Sequence, residues 1–242
     1  MLLKTRLIVL GTTKQGEGNL VVRCFTEALG YESFLVKGAF SKRKSGVHRA
    51  YFQPLALLEA EINHRPNANL QYFKELAFLD PHPPGNTEVK KQTVLLFLAE
   101  VLDQVLREEG ASNSEQFEFL FTTISWLLLH EAVGNFHLKF LIALTRFMGF
   151  YPNTTSITPN TAYFELETAC FHAQKPVGFA IHGNTLEHFR NLLGTNFDNI
   201  HTLHIQITQK HQLLEAILKY YQVHLQRFET PKSIPILQQL FA

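Results

Sequence analysis

Asp80-Pro81-His82-Pro83-Pro84-Gly85-Asn86 divides the chain into two halves with different periods. Three prolines and a glycine in seven residues continue neither a strand ladder nor a helix, so 80–86 reads as a linker between domains. Before it, short apolar runs alternate with turn residues at the spacing of a small all-β unit. Five strands are predicted: 7–10, 20–25, 33–36, a fourth running from Tyr51-Phe52 to Glu61-Ile62 with Pro54 at an edge or bulge, and 69–78. Five short strands in a segment of this size suit a small barrel. After the linker the period lengthens. Val94, Leu95, Leu98, Val101, Leu102, Val105 and Leu106 share one helical face behind a Thr87 cap. Further helices are predicted at 115–132, at 136–147 with Gly149 and Pro152 ending it, from the Asn184-Thr185 cap to before Gly194, and at 208–226. The stretch 153–183 is less regular, with a short strand at 162–166. The expectation is an α+β multidomain protein: a five-stranded barrel over 1–79, the linker, and an all-α domain over 87–242 carrying a small irregular or β insertion.

Composition supports packed domains. Of 242 residues, 45% are apolar, 12% aromatic and 18% charged, which excludes disorder for most of the length. No apolar run approaches the roughly 18 residues of a membrane span; the best is 94–99. Met1-Leu2-Leu3-Lys4-Thr5-Arg6 places charges where a signal peptide has its apolar stretch. Two cysteines, Cys24 and Cys170, fit a reducing compartment and cannot build a four-cysteine metal site. A cytoplasmic protein without a membrane partner is expected.

The catalytic motifs are absent. Gly11-Thr12-Thr13-Lys14-Gln15-Gly16 begins with phosphate-loop spacing, but Glu17 stands where the lysine belongs and would repel phosphate. Gly16 and Gly18 lack the third glycine of a dinucleotide fingerprint, and there is no Gly-x-Ser-x-Gly elbow. The 12 histidines, including His201, His204 and His211 and the pair His182 and His188, join no recognisable ligand set and read as polar surface or satisfied core residues. Cys24, inside the run 21–25, reads as a small packed hydrophobe. No enzyme, cofactor or metal is called for.

Charge supplies a positive signal. The net charge of +1 hides 11 Lys or Arg against 6 Asp or Glu over 1–79, and 11 against 15 over 80–242. Five of the first half's cations, Lys37, Lys42, Arg43, Lys44 and Arg49, fall in 37–49, which has no acid. Such a loop can track a phosphate backbone, with Ser41 and Ser45 adding hydrogen bonds. Phe34, Phe40, Tyr51 and Phe52 lie near enough to stack on bases, although core positions suit them better. A solvated loop is the bland alternative for the charges; like-charge repulsion favours a polyanionic ligand.

The same residues carry a resemblance. Lys4-Thr5 to Ile8-Val9-Leu10, Glu17 with Asn19-Leu20, Phe25-Thr26-Glu27 with Gly30, Val36-Lys37-Gly38-Ala39, Ser41-Lys42-Arg43 and Gln53-Pro54-Leu55 resemble, in order, the amino-terminal half of the RecO family of bacterial DNA repair and recombination mediators. Weaker likeness continues at 97–106, from Phe140-Leu141-Ile142-Ala143-Leu144 to Gly149-Phe150-Tyr151-Pro152, and at Pro231-Lys232-Ser233. The resemblance implies an OB-fold followed by a helical domain, non-catalytic binding of single- and double-stranded DNA, and strand annealing. It implies RecR and the acidic, apolar carboxy-terminal tail of single-stranded DNA-binding protein as partners, indirect service to RecA, and association with the nucleoid.

Many family members carry two Cys-x-x-Cys pairs after the Tyr-Pro exit, forming a structural zinc site. Here 153–183 offers only Cys170, so no zinc is expected, and Tyr163, Phe164, Leu166 and Phe171 must hold the segment by packing. For the tail, a hydrophobic pocket rimmed by cations is needed. Lys139, which matches a basic position of the family helix, and Arg146, which rests on geometry, flank Ile142 on one face of the predicted helix. Two other readings compete: an OB-fold RNA-binding or replication adaptor without a recombination role, and a hydrolase using Glu165, Glu167 and His172.

Overall fold

The computed structural model describes residues 1–39, 49–66, 68–79, 88–109, 112–131 and 134–240. Strands β1 (Leu2–Gln15), β2 (Asn19–Thr26), β3 (Gly30–Val36), β4 (Leu57–Asn63) and β5 (Phe73–Phe78) form one sheet in the order β3-β2-β1-β4-β5. Strand β1 is long enough to serve two neighbours. Its first half pairs with β4 from Leu2↔Asn63 to Ile8↔Leu57, and its second with β2 as far as Gln15↔Asn19. The sheet then closes on itself. A parallel bridge joins Phe34 to Gln71, where Leu35 N–H donates to the Gln71 carbonyl at 2.9 Å and Gln71 N–H to the Ser33 carbonyl at 2.8 Å. Closure protects edges that would otherwise template aggregation and gives the five-stranded barrel of an OB-fold.

Period-two alternation sends Leu7, Val9, Val22, Cys24, Phe34, Leu58, Ala60 and Ile62 into the barrel core. Cys24 is fully buried there, and burial pushes its thiol pKa up, as befits a packed hydrophobe. The fourth strand departs from expectation. It starts at Leu57, because Arg49–Phe52 forms a 3-10 turn and Leu55 takes a left-handed φ of 58°. That conformation is held by a 2.8 Å bond from Leu55 N–H to the Val9 carbonyl and by complete burial of the side chain.

Helices α1 (Val89–Glu109) and α2 (Ser114–Leu129) follow, the latter capped by Asn113, whose side chain accepts from Gln116 N–H at 3.1 Å. Thr87, the predicted cap of α1, lies outside the described residues. Both helices join the barrel in one compact unit, Met1–Glu131 with Pro231–Ser233. Arg23 reaches Asp103 on α1 at 2.9 Å, its guanidinium passing over Gly11, where a Cβ would stand 2.5 Å from it. Tyr31 donates to the same carboxylate at 2.8 Å, and burial together with Asp103 pushes its pKa up to about 12. Arg6 pairs with Glu27 and with Glu118 of α2, lying over the rings of Phe117 and Phe121.

The second unit, Ala132–Thr230 with Ile234–Ala242, holds α3 (Phe136–Leu144), α4 (Gly183–Gly194), α5 (Ile207–His224) and α6 (Ile234–Leu240). It also contains a small sheet of β6 (Tyr163–Glu165), β7 (Cys170–His172) and β8 (Ala180–His182), ordered β7-β6-β8. Where one strand was expected at 162–166, three form. Phe164 packs on Phe171, on Phe189 of α4 and on Tyr220 of α5, so one sheet face faces the core. Leu166 and Phe171 are buried as expected, whereas Tyr163 occupies the opposite face beside His182. No helix among the described residues is long and apolar enough to cross a membrane.

Candidate nucleic-acid interface

The barrel's cations sort by partner. Lys4 pairs with Glu59 at 2.9 Å, Lys74 with Glu61 at 3.2 Å, Arg6 with Glu27 at 2.7 Å and Arg23 with Asp103 at 2.9 Å. Lys14 is engaged as well. Lys37 and Arg65 differ: among the described residues neither meets a carboxylate, and both lie against the ring of Tyr72. The Lys37 ammonium is 5.5 Å from the ring centre and the Arg65 guanidinium carbon 5.8 Å, within cation–π range.

Three segments build this cluster. Lys37 follows the last residue of β3; with Val36 directed into the core, the next side chain points outward and is exposed. Gln71 and Phe73 share the inward face before and at the start of β5, Phe73 stacking on Phe34 at 4.1 Å, which turns the intervening Tyr72 out. Arg65 sits in the β4–β5 loop. Its backbone N–H donates to the Gln71 side-chain oxygen at 2.9 Å, and its carbonyl accepts from the Gln71 side-chain nitrogen at 2.9 Å. A second bond from that nitrogen reaches the Ala68 carbonyl at 3.3 Å. Gln71 is almost fully buried, so it fixes the loop to the barrel seam.

Of the basic residues singled out from the sequence, Lys37 is thus placed in the cluster. Arg49 opens the 3-10 turn, and Lys42, Arg43 and Lys44 lie outside the described residues. Gly38 N–H donates to the Asn19 side chain at 3.3 Å, so the basic segment leaves the barrel beside the β1–β2 turn. The aromatics go to the core as expected: Phe34 and Phe52 are buried around Phe73, and Tyr51 stacks on Phe78 at 4.5 Å. Phe40 lies outside the described residues. Arg65 and Tyr72 escaped sequence reasoning. The available signal was an aromatic between Gln71 and Phe73, one residue ahead of β5.

In the second unit, Lys139 is buried on α3, and its ammonium donates to the Leu192 carbonyl at 2.9 Å, satisfying an end group of α4. Burial, and then the charge of Arg146, lower its pKa. Helix α3 stops at Leu144, so Arg146 occupies the following turn, exposed, with its guanidinium 4.7 Å over Tyr151. Ile142, expected between the two cations on an open face, is buried. Around the end of α4, Ile157, Leu193, Arg190, Glu187, Asn191 and Thr154 line a cavity of about 550 Å³.

The candidate hydrolytic residues do not assemble as a set. Glu165 meets His172 at 3.2 Å and accepts from Thr168, whereas Glu167 lies over Gly178. Among the histidines, His188 bonds Gln209 at 2.9 Å and His204 the Thr202 carbonyl at 2.8 Å. No group of three or more metal-ligating side chains occurs among the described residues.

Comparison with known proteins bears on both units. The family model described as Recombination protein O N terminal matches residues 1–82, and that described as Recombination protein O C terminal matches 87–233. The interval between them falls within the proline-rich stretch. The chain is similar to DNA repair protein RecO of Flavobacterium johnsoniae, with 35% identity over 243 residues, and of Bacteroides fragilis, with 35% over 247. A third, from Christiangramia forsetii, is 31% identical over 241 residues. In all three alignments this chain and the relative are covered completely.

Proposed function

The chain belongs to the RecO family of DNA repair and recombination proteins, and we propose that within that role it is a non-catalytic mediator that binds single- and double-stranded DNA and anneals complementary strands. With RecR, it helps RecA take over strands coated by single-stranded DNA-binding protein, working at the cytoplasmic nucleoid. No metal or cofactor enters the scheme. The observation that carries the reading is the convergence of Lys37 and Arg65, free of carboxylates among the described residues, on one outward aromatic beside the origin of the basic segment. Unpaired cations on a barrel where Lys4, Arg6, Arg23 and Lys74 already hold carboxylates mark where a phosphate backbone gains most. Lys42, Arg43, Lys44 and Arg49 supply further phosphate contacts by their charge.

The partner tail docks on the second unit. Its terminal carboxylate and acidic residues meet Arg146 and Lys139, while the cavity at the end of α4 offers Ile157 and Leu193 to an apolar residue.

Annealing of complementary DNA strands coated with single-stranded DNA-binding protein tests the proposal. The intact chain accelerates annealing without metal or nucleotide, and a variant carrying Lys42→Glu, Arg43→Glu and Lys44→Glu loses most of that rate. Unchanged annealing by the triple variant would remove the basic segment from the mechanism. An RNA-binding or replication adaptor would leave coated DNA strands apart.

A further inference from the structure

We infer that Tyr72 is a base-stacking post that gives the barrel its preference for unpaired nucleotides, a specificity residue separate from the cations that attract any phosphate backbone. The inference rests on the reading of the barrel as a DNA-binding surface and names the form of DNA selected there.

Large aromatics of the barrel are consumed by packing: Phe34 and Phe52 around Phe73, Tyr51 on Phe78. Tyr72 is half-buried on the outward register, and its described ring contacts are the two cations. Two like charges held against one ring repel each other, and the ring quadrupole offsets only part of that cost. A nucleotide relieves the arrangement. Its phosphate takes the cations, and its base takes the ring.

Preorganisation is the second element. Gln71 ties the Arg65 backbone at two points through its side chain, and its own backbone bonds Ser33 and Leu35 of β3, two residues before Lys37. One buried side chain and one bridge therefore set the backbone positions from which all three side chains extend. The backbone needs little ordering when a strand binds.

The third element is what duplex DNA lacks. Its phosphates are accessible to Lys37 and Arg65, but its base faces are occupied by their neighbours in the stack. A half-buried ring on the outward register can engage a base only when that base is unstacked, so Tyr72 adds affinity for single strands and none for duplex. Each base stacked on an aromatic changes affinity by roughly five- to a hundredfold on truncation to alanine.

The test compares full-length wild type, Tyr72→Ala and Tyr72→Phe by fluorescence anisotropy on three probes of equal length. These are an oligodeoxythymidine, a strand of abasic residues with the same phosphates, and a duplex. Tyr72→Ala should weaken binding to oligodeoxythymidine by at least fivefold, while affinities for the abasic strand and the duplex stay within twofold; Tyr72→Phe should retain wild-type selectivity. Equal weakening on all three probes, or no change on any, overturns the stacking role and leaves the DNA-binding surface standing. A wild-type chain that binds none of the probes overturns the DNA-binding reading itself. The abasic and duplex affinities also report that the variant is folded.

Discussion

His137 shows how one buried side chain couples this protein to pH. It sits on α3 at 3% exposure, and burial, followed by the charges of Lys210 and His211, lowers its pKa from 6.5 to about 3. The folded chain therefore keeps a neutral imidazole through a range in which the unfolded chain takes up a proton. Stability from this residue is fully present above pH 6.5 and is lost progressively as pH falls from there toward 3. Between pH 7 and pH 5 the loss is about 2 kcal/mol, at about 1.4 kcal/mol per unit. Urea unfolding at the two pH values should show it, and His137→Gln should flatten the dependence by that amount. An unaltered pH dependence in the variant would mean that the proton is taken up elsewhere. Lys139, two residues on, is also buried and reaches a backbone carbonyl at the end of α4, so its ammonium serves the fold as well as any ligand.

The β3–β5 seam carries the largest share of the site at the scale of elements. Replacing Gln71 by Leu keeps the volume but leaves the Arg65 N–H and carbonyl without their partner. The expected cost is about 1–3 kcal/mol in urea unfolding, with faster amide exchange at Arg65. Binding to single strands should weaken with it, since Arg65 and Tyr72 lose their shared tether. Intact stability in this variant would show that the loop is held by other contacts. How far such features can be read in advance follows from their range. Strands β1 to β3 and helices α1, α4 and α5 were legible because their signals are local, alternation and a 3.6-residue period, although the cap of α4 is His182 and the predicted Asn184-Thr185 lie inside the helix. The start of β4 was not, because a Leu55–Val9 bond across the barrel turns the chain there. Likewise β7 and β8, three residues each, carry too little pattern of their own and form because Phe171 and Ile181 can bury beside Phe164. Lys37 was legible as part of a basic run. Arg65 and Tyr72 were not, since their meeting with Lys37 depends on barrel closure at Phe34↔Gln71.

At the scale of the molecule, the charge excess of the first 79 residues overstates the surface open to DNA. Among the described residues Lys4, Arg6, Arg23 and Lys74 already hold carboxylates, and two of those carboxylates, Glu118 and Asp103, are on α2 and α1 within the same compact unit. Salt dependence separates total charge from free charge. For single strands, each phosphate neutralised contributes about 0.7 to the slope of log affinity against log salt. Contacts by Lys37, Lys42, Arg43, Lys44 and Arg49 give a slope of roughly −3.5, and Arg65 brings it to roughly −4. Use of every cation in 1–79 would push the slope past roughly −7, which would require the ion pairs to Glu59, Glu61, Glu27 and Asp103 to open on binding. A titration series with oligodeoxythymidine from low to moderate salt distinguishes these cases, and a slope near zero would remove the electrostatic surface altogether. Arg65→Gln should lower the slope by about 0.7. Arg23→Gln should leave the slope unchanged while destabilising the fold, because that cation's charge is already spent on Asp103.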